Sequence, residues 1–262
     1  ADIKLGEVEN KNGEKISLTH GTYSVLLHGT DRELRQKAFE TYYSAYIGLS
    51  NTIAATYYGN VLKDVFLCRA RGYNSCLEQA LDGEDVSAVV YENLISSVHE
   101  NLKDMHDYIA LRKKILGLEE QHMYDIYAPL VEDSDLKLSY EEACDLVVKG
   151  LAPLGEEYCS LLRKGFDERW VDVCETAGKR SGAYSTGMYG LHPFVLLNYQ
   201  KTTHDIFTIA HEMGHSLHTY FSNENQPYAK ADYRIFVAEV ASTVNEVLLL
   251  KYILGQTSDL KM

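Results

Sequence analysis

Apolar side chains recur at intervals of three and four residues through most of the first two-thirds of the chain. One such stripe follows residues 30–33 (TDRE), whose spacing fits the capping box that begins many helices. A second stripe runs over residues 86–116, and a third begins at the capping box SYEE of residues 139–142 and extends to Leu162. Because this period matches the turn of an α-helix, the pattern predicts a helical array over residues 1–177.

The pattern changes beyond the helical array. Residues 178–187 (GKRSGAYSTG) contain too many glycines for a helix, and residues 194–199 (FVLLNY) form an apolar run of strand length. A separate hairpin signal, Asn12-Gly13, lies near the start of the chain. The sequence therefore predicts a small β-sheet beside a mainly α-helical region.

The net charge and the spacing of the cysteines exclude several classes of function. With 25 Lys and Arg against 38 Asp and Glu, the formal net charge is −13, the wrong sign for binding nucleic-acid phosphates or an anionic membrane surface. Five scattered cysteines include no close pair of the kind that holds a zinc ribbon or a redox couple, so reduced thiols in a cytoplasmic protein are the simplest interpretation. The polar residues 1–9 show no secretory signal. We expect neither nucleic acid nor membrane as a partner.

The candidate chemistry lies in residues 208–218, TIAHEMGHSLH. In a helix, His211 and His215 are one turn apart on the same face, so both imidazoles can bind one zinc ion. Glu212 projects beside them, where its carboxylate can act on a water that the metal activates. Gly214 costs about 1 kcal/mol relative to alanine unless another element packs closely there. The motif predicts a zinc-peptidase site with one Zn²⁺ per chain.

A catalytic zinc needs a third protein ligand and an open position for water. The metzincin arrangement is excluded, because His218 and Phe221 stand where it requires glycine and histidine. An apolar pattern over about residues 231–254 predicts a second helix, on which Glu239 and Glu246 share a face. Spacing alone fits a zinc ligand on this helix and a solvated polar stripe equally well.

Together, the two segments resemble the active-site helices of the thimet oligopeptidase family, in particular its oligoendopeptidase F members. The resemblance rests on HEMGHSLH at residues 211–218 and on FVAEVASTVNE at residues 236–246. It covers nearly the whole chain, with further similarity at residues 178–185 (GKRSGAYS) and 192–199 (HPFVLLNY), and more loosely at 31–32 and 124–129.

The resemblance implies a helical, zincin-like metallopeptidase fold with Glu239 as the third zinc ligand. It also implies that the substrates are short peptides, because the helices of such enzymes enclose a deep channel. Family members normally have a helical lobe before this segment and a helical region after it, with a Tyr/His cluster that stabilises the tetrahedral intermediate. Because the sequence ends at Met262 without that cluster, we expect an incomplete fold, the central piece of a longer enzyme.

Other residues are candidates for supporting roles. Glu246 and Asp205 can accept hydrogen bonds from the free ring nitrogens of the zinc histidines, although an aspartate at a helix start is at least as often a cap. The run over residues 194–199, with the segment from Gly182 to Tyr184, offers an edge strand to which an extended peptide could add. His218 is interpreted as an ordinary surface or groove histidine. The candidate substrate-binding residues are Gly182, Ala183, Tyr184, His192 and Tyr199.

The sequence predicts one peptidase catalytic region over residues 1–262. Its parts are a helical array to residue 177, a glycine loop and strand over 178–200, and a zinc-binding helix pair over 201–262. The predicted reaction is hydrolysis of short oligopeptides by a zinc-activated water, with Glu212 as general base. One alternative is a non-peptidase zinc hydrolase such as a deformylase, whose ligand cysteine and glycine-rich motif are not evident. The other is a helical zinc-binding or scaffold protein without activity.

Overall fold

The computed structural model describes residues 3–131 and 136–257. The chain divides into two compact units: unit 1 comprises Ala1–Ile3, Leu18–His28 and Val131–Met262, and unit 2 comprises Lys4–Ser17 and Gly29–Leu130. Each unit draws on separated stretches of chain, so no single linker marks a boundary in the sequence. The single catalytic region over residues 1–262 stays a prediction, and its last residues, 258–262, lie outside the described part of the chain.

Unit 2 begins with a β-hairpin and continues as helices. The hairpin predicted at Asn12-Gly13 is confirmed, since Glu7–Glu9 pairs antiparallel with Lys15–Ser17. Gly13 has φ +81°, in the left-handed region that glycine adopts without strain. The elements are β1 (Glu7–Glu9), β2 (Lys15–Ser17), α2 (Arg32–Ile47), α3 (Ser50–Arg71), α4 (Cys76–Asp82), α5 (Ala88–Glu100), α6 (Leu102–Ile115) and a 3₁₀ turn at Met123–Asp125.

Two details of the helices predicted in unit 2 are wrong. The cap of α2 is Asp31, one residue after the predicted position, because its carboxylate accepts the backbone N–H groups of Glu33 and Leu34. The single helix predicted over residues 86–116 is two helices, separated at Asn101. The Asn101 side-chain amide donates to the Ser97 carbonyl, a local bond that competes with helix continuation.

Unit 1 contains most of the buried core. The third predicted helix is also two, α7 and α8, because Pro153 lacks a backbone N–H and Gly155 has φ +96°. The elements are α1 (His20–Leu27), α7 (Tyr140–Gly150), a 3₁₀ turn at Ala152–Leu154, α8 (Glu156–Asp167), β3 (Val171–Asp172), β4 (Tyr184–Thr186), β5 (Phe194–Leu196), α9 (Thr203–Asn225), α10 (Tyr228–Ala231) and α11 (Ile235–Gln256). The mainly α fold with a small sheet is therefore confirmed.

The sheet of unit 1 has the strand order β3-β5-β4. β5 pairs in parallel with β3 on one side and antiparallel with β4 on the other, with Ser185 opposite Val195. The prediction that the run over residues 194–199 supplies an edge strand is wrong, because both edges of β5 are used. β3 and β4 are the two edge strands of this sheet.

The core of unit 1 packs α9 against α7, α8, α11 and β5. Its apolar side chains follow the buried face of each helix, at the three- and four-residue spacing that the sequence shows. They are Ala143, Val147, Leu151, Leu162, Val195, Leu197, Ile206, Ile209, Ala210, Met213, Leu217, Leu249 and Ile253. Across the described residues, none of the helices combines the length and the apolar character that crossing a bilayer requires.

Candidate metal centre and active site

The helix that carries the HEMGH motif, α9, begins at a full capping box. Thr202 accepts the backbone N–H of Asp205, and the Asp205 carboxylate accepts the backbone N–H of Thr202 at 2.8 Å and that of Gln200 at 3.0 Å. This carboxylate is engaged at the start of the helix, more than a turn before His211. The structure thus gives Asp205 the role of a cap and does not bring it to the histidines.

His211, His215 and Glu239 converge on one point. The two histidines lie one turn apart on α9, and their Nε2 atoms are 3.2 Å apart. Glu239, on α11, places Oε2 3.3 Å from the Nε2 atom of each histidine. Two donors bound to zinc at about 2.0–2.1 Å in tetrahedral geometry lie about 3.3–3.4 Å apart. The spacing of all three atoms fits a single zinc ion.

The protonation of the two rings supports this fit. The Nδ1 atom of His211 donates to Glu246 Oε1 at 2.5 Å, and the ring of His215 hydrogen-bonds to the backbone carbonyl of Ala238. When an imidazole is neutral, a proton used in a bond of this kind on one ring nitrogen leaves the lone pair of the other nitrogen for a metal. A metal ion between the three atoms would then contact both Nε2 lone pairs and the carboxylate of Glu239.

The charge states of two ligands also suit a metal. Burial lowers the pKa of His215, which favours the neutral imidazole that binds metal. The hydrogen bond from Ser242 lowers the pKa of Glu239, which favours the ionised carboxylate. Both groups are therefore in the ligating form at neutral pH.

A close crossing of α9 and α11 sets the position of Glu239. A Cβ atom on Gly214 would lie 2.7 Å from the Cα of Ser242, so only glycine permits this approach. Near this crossing, Asn245 donates to the carbonyl of Ala210 at 2.9 Å and accepts from the hydroxyl of Tyr158 at 3.0 Å. The close neighbour that the sequence required at Gly214 is the backbone of α11.

Glu212 lies on the side of α9 that meets the sheet. The residue is buried, and burial raises the pKa of its carboxyl group. The backbone N–H of Ser185, in β4, donates to the same carboxylate. The Ser185 and Ser216 hydroxyls are 2.8 Å apart, and Ser216 donates to the Glu212 carbonyl at 3.0 Å. Strand β4 is thereby tied to the turn of α9 that holds Glu212.

Comparison with known proteins agrees with this geometry. The model of peptidase family M3 matches residues 25–259. The chain belongs to this family. The resemblance to the oligoendopeptidase F members is confirmed by relatives that carry that name.

Two curated relatives and one solved structure illustrate the match of this M3 chain. Oligopeptidase PepF of Bacillus subtilis is 47% identical over 261 residues, which are 100% of this chain and 39% of the relative. The chromosomal oligoendopeptidase F of Lactococcus lactis is also 47% identical, over 100% of this chain and 43% of the relative. The crystal structure of oligoendopeptidase-F from Enterococcus faecium superposes with a TM-score of 0.62 at 31% identity, covering 100% of this chain and 39% of the other. The chain spans about two fifths of the length of its relatives.

The predicted substrate-binding residues of the M3 chain have different surroundings. Tyr184 lies in β4, and the carbonyl of Gly182, two residues earlier, accepts from the Asn198 amide at 2.8 Å. His192 stacks on Trp170 with ring centroids 5.2 Å apart, and its Nδ1 atom donates to the Pro193 carbonyl. Half-buried Ala183 packs against the core. Of these residues, Tyr184 belongs to β4, whose Ser185 contacts Glu212.

Tyr199 has a structural contact in this M3 chain. Its hydroxyl donates to the carbonyl of Leu138 at 3.0 Å, and burial raises its pKa to about 12. A role in binding substrate stays a prediction, but the hydroxyl already has an acceptor.

Sequence reasoning missed three residues of this site. Ser185 approaches Glu212 only because β4 lies against α9, and Asn245 reaches Ala210 only because the two helices cross. Nothing in the sequence around Ser185 or Asn245 predicts these contacts, because their partners are distant along the chain. Ser242 does have a local signal, since it lies three residues after Glu239 on the same helix face.

His218 also has closer contacts than the sequence suggested. Its ring stacks on Tyr233 with centroids 3.8 Å apart, and burial lowers its pKa. The groove interpretation therefore fits this histidine better than the surface one.

Proposed function

We propose that this M3 chain is the catalytic part of a zinc-dependent metalloendopeptidase that hydrolyses short oligopeptides. The observation that carries the proposal is the convergence of His211, His215 and Glu239, whose facing atoms lie within 3.3 Å of one another. Glu212 is the only other residue of the HEMGH motif that carries an ionisable group. The proposed metal is one Zn²⁺ per chain, held by these three ligands.

The metal and Glu212 divide the chemistry between them. Zinc at this site supplies Lewis acidity, which acidifies water and polarises a carbonyl. Glu212 accepts a proton from the attacking water and later gives it to the leaving amine. Burial raises the pKa of the Glu212 carboxyl group toward neutral pH. A group whose pKa lies near the working pH can act as both base and acid. The Ser185 N–H holds the carboxylate in place during both steps.

Strand β4 is the proposed platform for substrate. It pairs with β5 along one edge, and Ser185 donates to Glu212 from the same strand. A peptide in extended conformation that adds to β4 by main-chain hydrogen bonds would lie beside Glu212. Main-chain recognition tolerates many sequences. Gly182, Ala183 and Tyr184, in or next to this strand, are the residues we propose for substrate contact, with His192 and Tyr199 farther along the chain.

The proposed location is the cytoplasm, with soluble peptides as partners. All five cysteines are free, a state that reducing compartments maintain. The net charge of −13 argues against nucleic acid as a partner.

A quenched-fluorescent peptide assay tests the proposal. We expect the zinc-loaded enzyme that contains this chain, at the full length of its relatives, to cleave an oligopeptide and a chelator to stop it. In that enzyme Glu212→Gln should lower the rate by about 10²–10⁴-fold with zinc still bound. Cleavage that survives Glu212→Gln would remove Glu212 from the mechanism. Zinc binding without cleavage of any peptide would favour a scaffold, and release of formate from a formylated peptide would favour a deformylase.

A further inference from the structure

The three proposed zinc ligands differ in how firmly the fold holds them. The side chains of His211 and His215 are 28% and 17% exposed, whereas that of Glu239 is 58% exposed. A glutamate has three rotatable side-chain bonds, and an exposed one loses the most freedom when it is fixed on a metal. Glu239 is therefore the ligand that most needs a partner to hold its carboxylate in place.

Each ligand has one such partner within the described residues. His211 is held by Glu246, and His215 by the carbonyl of Ala238. The Ser242 hydroxyl donates to Glu239 Oε2 at 2.8 Å, and this is the same oxygen that faces both histidines. Partners of this kind orient metal ligands.

Ser242 is itself fully buried. It has no exposed surface, and its backbone lies at the crossing of α9 and α11, against Gly214. A hydroxyl at this point is fixed relative to the histidines of α9, although it belongs to the helix of Glu239. The Ser242 hydroxyl can therefore hold the exposed carboxylate of Glu239 at a set position relative to the crossing.

We propose that Ser242 is the positioning residue for Glu239: its hydroxyl holds Oε2 at the point where the two Nε2 atoms converge. This inference rests on the proposed metal site. It assigns to Ser242 a role in zinc affinity that its place in the helix does not require, because alanine forms helices better than serine.

Thr243 provides a matched control on the same helix. Its hydroxyl donates to the Glu239 backbone carbonyl, as the Ser242 hydroxyl also can, but no bond to the carboxylate is found for it among the described residues. Thr243→Val removes that hydroxyl and keeps the shape of the side chain. The two variants thus separate the bond to the carboxylate from the bond to the backbone.

The test is a chelator-competition measurement of zinc affinity on the full chain. Ser242→Ala should weaken binding by about 10–100-fold, with the melting temperature of the metal-free chain unchanged or raised. Thr243→Val should leave the affinity unchanged. In a Glu239→Ala background, where no side-chain oxygen is left for the Ser242 hydroxyl, Ser242→Ala should add less than a twofold further loss.

Three results would overturn the role of Ser242 while leaving the metal site intact. They are an unchanged affinity in Ser242→Ala, an equal loss in Thr243→Val, and a full further loss in the Glu239→Ala background. Absence of zinc binding by the unaltered chain, or an unchanged affinity in Glu239→Gln alone, would instead contradict the proposed ligand set itself. Failure of the inference and failure of the proposed function are thereby distinguishable.

Discussion

Asp125 in unit 2 and Glu239 in unit 1 are both carboxylates beside nitrogen atoms, yet their surroundings are opposite. Asp125 is completely buried and accepts from the guanidinium groups of Arg32 and Arg35 and from the His122 backbone N–H, at 3.0–3.1 Å. The Glu239 side chain is 58% exposed, and it faces the Nε2 atoms of two histidines, which are metal-binding groups.

The difference separates a cluster that stabilises the fold, around Asp125, from a cluster that is suited to bind a metal ion, around Glu239. Around Asp125 the acceptors meet donors, so the cluster is complete without any ligand. Around Glu239 three atoms of the types that bind zinc meet one another, and a metal ion between them would contact all three. Removing a member of the first cluster should therefore lower stability, and removing a member of the second should lower metal affinity.

The largest effect should come from the histidines. His211→Ala or His215→Ala leaves too few ligands for a tight site, so we expect zinc binding to be lost, with the metal-free fold retained. Metal content of the purified variants, measured with their circular dichroism spectra, checks both parts. One zinc per chain in either variant would contradict the assignment.

A large loss of stability should follow from Asp125→Asn. The substitution leaves the buried Arg35 without its counter-charge, and we expect the free energy of unfolding of unit 2 to fall by about 3–5 kcal/mol. Chemical denaturation measures this loss. Zinc affinity should not change. Weaker zinc binding with unchanged stability would contradict the claim that the Asp125 cluster stabilises the fold and does not bind the metal.

The dependence of folding stability on pH gives a second measure of how much the Asp125 cluster contributes. Burial opposes ionisation of this carboxyl, but hydrogen bonds from Arg32, the His122 backbone and Arg35 outweigh it and hold the pKa below 3.8. A lowered pKa contributes stability above the unfolded value, and that stability is lost as pH falls through the folded value. The stability gap between the unaltered chain and Asp125→Asn should therefore narrow below pH 3.8. A gap that stays constant there would contradict the ion-pair account.

Gly214→Ala should have a smaller effect, and it should lower both the stability of the fold and the affinity for zinc. The new methyl group would lie 2.7 Å from the Cα of Ser242, so α11 must shift and carry Glu239 with it. We expect a cost of about 1–3 kcal/mol in unfolding free energy and weaker zinc binding. Gly59→Ala, in α3, is the control, because nothing lies within 4 Å of the added methyl group. Equal behaviour of the two variants would argue against a close helix crossing.

The smallest effect should come from Glu246→Gln. Its amide can still accept from His211 Nδ1 but carries no charge, so zinc affinity should fall by no more than about 10-fold, the lower end for supporting residues. Glu239→Gln, which alters a direct ligand, should cost more. The opposite order, measured by chelator competition, would mean that Glu246 is the ligand.

Local patterns in the sequence predicted what helix geometry alone determines. The pairing of His211 with His215 and the cost of Gly214 follow from the helical period. Pro153 and Gly155 are local signals too, but the apolar period continues across them and predicts one helix where the structure has two. The hairpin at Asn12-Gly13 is equally local, because its turn residues are adjacent.

Contacts between distant segments could not be predicted in this way. Spacing left Glu239 undecided between a ligand and a surface residue, and only the family resemblance favoured the ligand. The crossing that decides its position joins residues 28 positions apart, Gly214 and Ser242. The approach of β4 to Glu212 likewise depends on how the sheet packs against α9, which no single segment specifies.

The central claim is that two imidazoles and one carboxylate hold a single zinc ion. X-ray absorption at the zinc edge of the metal-loaded chain tests this most directly, because it reports the ligand atoms whether or not the chain turns over substrate. We expect two imidazole nitrogens and one carboxylate oxygen at about 2.0–2.2 Å, with any remaining ligand from solvent. Sulfur at about 2.3 Å, from one of the five free thiols, or fewer than two imidazoles, would contradict the account.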